Sequence, residues 1–217
     1  MRIFGTIRGF RFGDFFGSTN DREKLISISK FGQLNVGNEG QYFCGCSNLT
    51  LNASDGLDLA GTSNLNGMFH VAHRFNGDIS TWDVSGVTNM SNMFSSTDCF
   101  DGDISSWNVN AVTNMSRMFQ GAKSFNCDIS NWNVGAVTNM HSMFQGATSF
   151  NQDISSWNVR SVIDLRSMFC NAYAFNQDIS SWEINSLANI RFMFANAKGY
   201  RFEVPKFQVV KIPCIIN

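Results

Sequence analysis

The sequence predicts an α/β solenoid, a stack of short units that each contribute a strand and a helical turn. Two observations predict it. Every tryptophan of the 217-residue chain stands 25 residues from the next, and three further columns of large side chains keep the same step. A fixed period of this length is typical of one supersecondary unit stacked on copies of itself. The tryptophans are Trp82, Trp107, Trp132, Trp157 and Trp182.

The other columns predict the core. A phenylalanine preceded by methionine recurs from Phe69 to Phe194, a second aromatic column runs from Phe75 to Tyr200, and an aliphatic column begins at Ile79. One unit alone could not bury such rings, whereas neighbouring units cover them above and below. An exposed aromatic row that binds sugar is the alternative, but these aromatics alternate with polar residues as core positions do.

A single unit, residues 75–99, predicts the local structure. Val87, Met90, Met93 and Phe94 have the spacing of one face of a helix of about two turns. Residues 79–84 have the shorter spacing of a strand, since Trp82 and the valine two positions later point the same way. We therefore expect a leucine-rich-repeat-like solenoid, in which each rung is a short strand plus a short helix or helical turn. The strands would form a parallel sheet on one face.

The period divides the chain into three parts. Residues 1–42 break it and are rich in β-forming residues, which predicts an N-terminal cap over the open end of the stack. Residues 43–200 form the predicted solenoid of about 25 residues per rung, and residues 201–217 a degenerate C-terminal rung. The apolar positions of that last rung are Val204, Phe207, Val209, Ile212 and Ile215.

Charge and hydropathy exclude some classes of partner. Ten acids and four bases lie between Phe75 and Asn189, a net charge of −6 that disfavours nucleic acid. No apolar run approaches the roughly 20 residues of a transmembrane helix. The first residues lack the uninterrupted apolar segment of a secretory signal, and no lipobox cysteine or C-terminal anchor is visible.

Residues 132–157, WNVGAVTNMHSMFQGATSFNQDISSW, carry the recurring W-x-V, T-N-M, M-F and F-N-x-D-I-S elements. This pattern resembles the BspA-like leucine-rich-repeat surface proteins, also known from mycoplasma-type lipoproteins, over about residues 23–200. The resemblance implies a non-enzymatic protein, exposed on a cell surface or extracellular, that serves in adhesion or protein binding.

Polar columns are the candidates for chemistry. An aspartate column could hold a cation such as Ca²⁺, or its carboxylates could accept backbone N–H bonds in turns, which we favour. No catalytic motif is present and no column joins His, Cys and carboxylate, so we expect no enzyme, cofactor or metal site. The column is Asp78, Asp103, Asp128, Asp153 and Asp178.

The predicted contact surface consists of the polar positions that flank the tryptophans. We expect it to bind an unidentified protein partner, with the chain itself monomeric. The alternatives are an intracellular interaction scaffold, and binding of carbohydrate or ice by the repeated face, since Thr88, Thr113 and Thr138 form a partial threonine row. The contact candidates are Thr81, Asp83, Ser106, Asn108, Asn131, Asn133, Ser156, Asn158, Ser181 and Glu183.

Overall fold

A computed structural model describes residues 22–205 of the chain. Regular secondary structure in this range consists of a 3₁₀ helix at Arg22–Lys24 and two strands, β1 (Ser27–Ile28) and β2 (Thr50–Leu51). The strands pair in parallel, with Ser27 opposite Thr50. Turns and isolated bridges make up the rest.

The predicted α/β leucine-rich-repeat-like solenoid is therefore wrong. Between residues 22 and 205 the structure has no α-helix, and the expected parallel sheet on one face is replaced by single bridges between asparagine or aspartate residues. The units contain neither the strand nor the helix that the apolar spacing indicates.

The destination of the backbone N–H groups explains the missing helix. The N–H of Met93 donates to the Met90 carbonyl at 3.2 Å, but that of the adjacent Phe94 donates to Met118, in the following 25-residue segment, at 2.9 Å. An α-helix needs every N–H bonded to the carbonyl four residues back. Asn92 also has a φ of 56°, in the left-handed region. Successive N–H groups thus alternate between a carbonyl three residues back and a carbonyl of the next segment. The result is a series of turns in place of a helix.

Local hydrogen bonds also replace the expected strand. The N–H of Trp82 donates to the Ile79 carbonyl at 3.1 Å, and that of Val87 donates to Val84 at 2.9 Å. Both bonds close turns, and they occupy N–H and carbonyl groups that a parallel sheet would need for hydrogen bonds between its strands. The side chain of Asp78 accepts the N–H of Ser80 in the same stretch. Such local side-chain bonds compete with secondary structure.

The core consists of the aromatic, methionine and aliphatic columns. Phe94 stacks on Phe119 of the following segment with ring centroids 5.6 Å apart, and on Phe100 of its own segment at 4.0 Å. Comparable stacked pairs extend from Phe43 to Phe194. Positions 25 apart therefore meet in the structure, and burial of these rings supplies most of the apolar area removed from water.

An asparagine column links consecutive segments. Asn89 and Asn114 form a parallel bridge, and the side-chain oxygen of each accepts the N–H two residues later, both at 3.0 Å. Asp164 takes the same place and accepts the N–H of Arg166 at 3.1 Å. The amides thus satisfy turn groups that would otherwise be left unpaired.

The two ends bear on the predicted division of the chain. Gln41, in the predicted cap, donates its N–H to the Asn66 carbonyl at 2.7 Å, across the boundary predicted at residue 42. Phe43, just after that boundary, makes the equivalent bond to Met68 at 2.9 Å. Residues 1–21 of the predicted cap lie outside the described residues, as do Phe207 and the later positions of the predicted last rung. The three-part division stays a prediction.

Candidate functional site

The ten contact candidates lie on either side of the tryptophan column. Nine of them are exposed and Glu183 is half-buried, whereas the tryptophans and the residues two positions after them are buried. The chain at residues 81–84 shows the pattern: Thr81 and Asp83 face water, and Trp82 and Val84 face the core. The candidates thus form one polar face in two rows, which we call the flanking face.

The row after the tryptophans also shapes the backbone. The side-chain oxygens of Asp83, Asn108, Asn133 and Asn158 each accept the N–H two residues later, at 3.0, 3.2, 3.1 and 3.2 Å. These side chains hold a turn, a role that the sequence analysis missed. The sequence signal was an Asn or Asp two residues before a turn-forming residue in three of the four cases, whereas Arg160 carries no such signal. Glu183 instead pairs with Arg160.

The side chains of the row before the tryptophans are less involved in hydrogen bonds. Ser156 donates its hydroxyl to the Ser130 carbonyl at 3.1 Å. Within residues 22–205, the side chains of Thr81, Asn131 and Ser181 make no hydrogen bond. These three side chains can therefore be replaced without removing a bond that the fold uses.

An acidic column borders the flanking face. In each of its five aspartates one carboxylate oxygen accepts the N–H of the serine two residues later, at 2.9 to 3.0 Å. This bonding confirms the turn role expected for the column. Within the described range no group of three or more His, Cys, Asp or Glu residues could hold a metal ion.

Hydrogen bonding lowers the pKa of these carboxyl groups. The backbone of Ser80 and then its hydroxyl lower the pKa of Asp78, and the hydroxyl of Ser105 and then its backbone lower the pKa of Asp103. The other three aspartates of the column have a lowered pKa for the same reasons. The border of the flanking face is therefore negatively charged at neutral pH.

The tryptophans serve the interior. Trp132 is 3% exposed, which confirms its expected burial, and its indole N–H donates to the Ile104 carbonyl at 3.1 Å. Trp107, Trp157 and Trp182 make the equivalent bond, 28 residues back along the chain. Such rings present no open face to a sugar, so aromatic sugar binding at this column has no support.

Three comparisons place the chain among known proteins. A family model described as "Mycoplasma protein of unknown function, DUF285" matches twice, over residues 38–144 and 125–213. A search of curated proteins found no match, and a search of solved structures found none either. In the part of the chain that the structure covers, no helix has the length and apolar character to cross a membrane. Because the two matches together span most of the sequence, the chain belongs to the mycoplasma protein family of unknown function DUF285.

Proposed function

We propose that this protein is a non-enzymatic module that binds another protein, as an adhesion or interaction component, through its flanking face. The observation that carries the proposal is the combination of exposed, varied polar side chains with an interior held by regular contacts. Such a scaffold lets surface residues change while the core persists.

The cell surface is the proposed location. The repeated W-x-V, T-N-M and F-N-x-D-I-S elements resemble BspA-like surface proteins, and the match to a mycoplasma family agrees with that resemblance without assigning a role. We place the binding partner outside the cell for the same reason.

Three substitutions on the row before the tryptophans test the proposal. Thr81→Lys, Asn131→Lys and Ser181→Lys together add three long charged side chains at positions without side-chain hydrogen bonds. We expect capture of a surface-fraction protein, measured by quantitative pull-down from the source organism, to fall roughly tenfold or more, as at a disrupted interface. Thermal unfolding should stay unchanged, because the core is untouched.

A matched variant controls for added charge. Ser124→Lys, Ser149→Lys and Ala174→Lys place the same three charges in another exposed column. This variant should capture the partner like the unsubstituted protein. Equal losses in both variants, or no loss in either, would show that the flanking face is not the contact surface.

Ice binding is a second candidate function, because of the threonine row. Thr88, Thr113 and Thr138 are exposed, and each hydroxyl donates to the carbonyl 25 residues back at 3.2 Å. The hydroxyl and methyl groups thus repeat in one orientation. A thermal-hysteresis assay tests this function, with Thr113→Lys as the variant expected to abolish activity and Ser124→Lys as the control.

A further inference from the structure

Basic side chains collect on four consecutive segments of an otherwise acidic array. His141, Arg166 and Arg191 occupy one 25-residue column, and Arg117 lies in the adjacent column. Backbone bonds join their segments: Arg117 donates its N–H to the His141 carbonyl at 2.8 Å, and the residues after His141 and Arg166 donate to the Arg166 and Arg191 carbonyls. We call these four residues the basic stripe.

The middle of the basic stripe is held in place. The His141 ring lies between the Arg166 carbonyl, 3.0 Å from Nδ1, and the guanidinium of Arg117, 3.3 Å from Nε2. Arg166 makes a two-pronged contact with Asp164, at 2.6 and 2.9 Å. Fixed side chains lose less conformational freedom when a ligand binds.

The ends of the stripe have unused charge. Arg117 and Arg191 are exposed, and among the described residues neither forms an ion pair with a carboxylate. Each guanidinium offers a planar set of donors that matches a carboxylate. Among the described residues, Arg166 is therefore the arginine of the stripe that a carboxylate, that of Asp164, neutralises.

An exposed aromatic ring adjoins the stripe. Phe192 follows Arg191, is 73% exposed and has a φ of 59°. Ser142 and Ser167 occupy the same column in the two preceding segments and Arg117 occupies it before them, each with a φ of 54° or 55°. The left-handed backbone is thus a regular feature of this column, and what distinguishes Phe192 among the described residues of the column is its exposed aromatic ring.

We propose that the basic stripe together with Phe192 is a docking surface for an extended acidic peptide segment of another protein. Carboxylates of the peptide would pair with Arg117 and Arg191, and an apolar side chain next to the carboxylate on Arg191 would cover the Phe192 ring. This surface is separate from the flanking face and its function does not depend on that face. A polysaccharide would lack the apolar side chain. A second copy of this chain would present carboxylates already bonded within their own turns.

Fluorescence anisotropy with labelled peptides tests the proposal. The probe is an octapeptide in which glutamate alternates with leucine, and its comparison peptide carries glutamine in place of glutamate. We expect the glutamate peptide to bind more tightly than the glutamine peptide, with affinity falling as salt rises. Arg117→Gln with Arg191→Gln should weaken binding roughly three- to tenfold, the loss expected from two exposed ion pairs.

Two further variants sharpen the assay. Phe192→Ser installs the residue found in the same column at Ser142 and Ser167, and should weaken binding while leaving the fold intact. Arg74→Gln removes one exposed arginine outside the stripe and should leave affinity unchanged. Thermal melts of each variant establish that it is folded.

Three results would overturn the proposal. One is equal affinity for the glutamate and glutamine peptides. Another is unchanged binding by the double arginine variant. The third is selectivity for another occupant: a heparin fragment bound without any peptide binding, or self-association by analytical ultracentrifugation that the arginine substitutions abolish.

Discussion

Trp132 shows how one side chain connects segments of the chain. Its ring lies 6.4 Å from that of Phe119, and its N–H donates to the Ile104 carbonyl of the preceding segment. Trp132→Ala removes a large buried aromatic and should lower the free energy of unfolding by about 3–5 kcal/mol. Urea denaturation measures this loss. Asn131→Ala, at the exposed neighbour, should change stability by less than about 0.5 kcal/mol. Equal small losses would contradict the structural role of the indole.

Thr62 is a buried polar residue in a column of apolar ones. It is 1% exposed, its hydroxyl has no hydrogen-bond partner among residues 22–205, and Val87, Val112 and Val137 occupy the equivalent positions. Thr62→Val should raise the free energy of unfolding by about 1–3 kcal/mol, because it removes an unsatisfied buried group. The reciprocal change Val112→Thr should lower it. A Thr62→Val variant less stable than the unsubstituted protein would show that the hydroxyl is satisfied.

At the scale of elements, aspartate-capped turns replace strands and helices, and they make stability depend on pH. The pKa of each column aspartate is lowered from 3.8 in the folded chain. The unfolded state therefore binds more protons at acidic pH. The stabilisation is complete above the ordinary carboxyl range and is lost as pH falls through the lowered folded values.

Replacing three of these aspartates tests that dependence. Asp103→Asn, Asp128→Asn and Asp153→Asn keep an oxygen that accepts the serine N–H but remove the titration. Urea midpoints should fall less between pH 5 and pH 2.5 (roughly the window of carboxyl titration) than in the unsubstituted chain. If the urea midpoint falls equally in the variant and the unsubstituted chain, other carboxyl groups control acid unfolding.

The turns also mark how far the sequence could predict the fold. The period identified buried columns such as that of Trp132 and the turn role of Asp78, because both depend on which residues recur. It could not separate a helix from turns at Met90 and Phe94, since their apolar spacing suits both. The deciding bond, from Phe94 to Met118, joins separate segments, and the left-handed backbone at Asn92 carries no glycine signal.

The sequence predicted some features of the candidate site and missed others, as it did for the fold. Alternation around the tryptophans correctly indicated which side chains face water, as at Thr81 and Asp83. The turn bond of Asn133 was missed, because a polar residue beside a buried one looks the same whether it binds a partner or caps a turn. The basic stripe was also missed, since His141 and Arg117 lie in different columns and meet only through the fold.

For the molecule as a whole, charge is sorted by face. The acidic column borders the flanking face, while Arg117, Arg166 and Arg191 follow the buried Met115 and Leu165 and the half-buried Ile190. The two proposed contact surfaces share no residue, so each can be altered without substituting a residue of the other.

The repeated placement of the indoles also makes the chain its own optical reporter. All five tryptophans are buried, and four donate the same bond to a carbonyl, so their emission should resemble that of a single shielded fluorophore. Trp157 and Trp182 lie 6.5 Å apart and nearly parallel, close enough for excitation to pass between them. Transfer between nearly parallel rings hardly changes the direction of the emitting dipole, so emission should stay polarised in the rigid folded state. It should become depolarised when neighbouring segments separate and the rings rotate freely. A ligand on an outer face would leave the polarisation of the tryptophan emission unchanged, so unfolding and docking can be followed separately in the same sample.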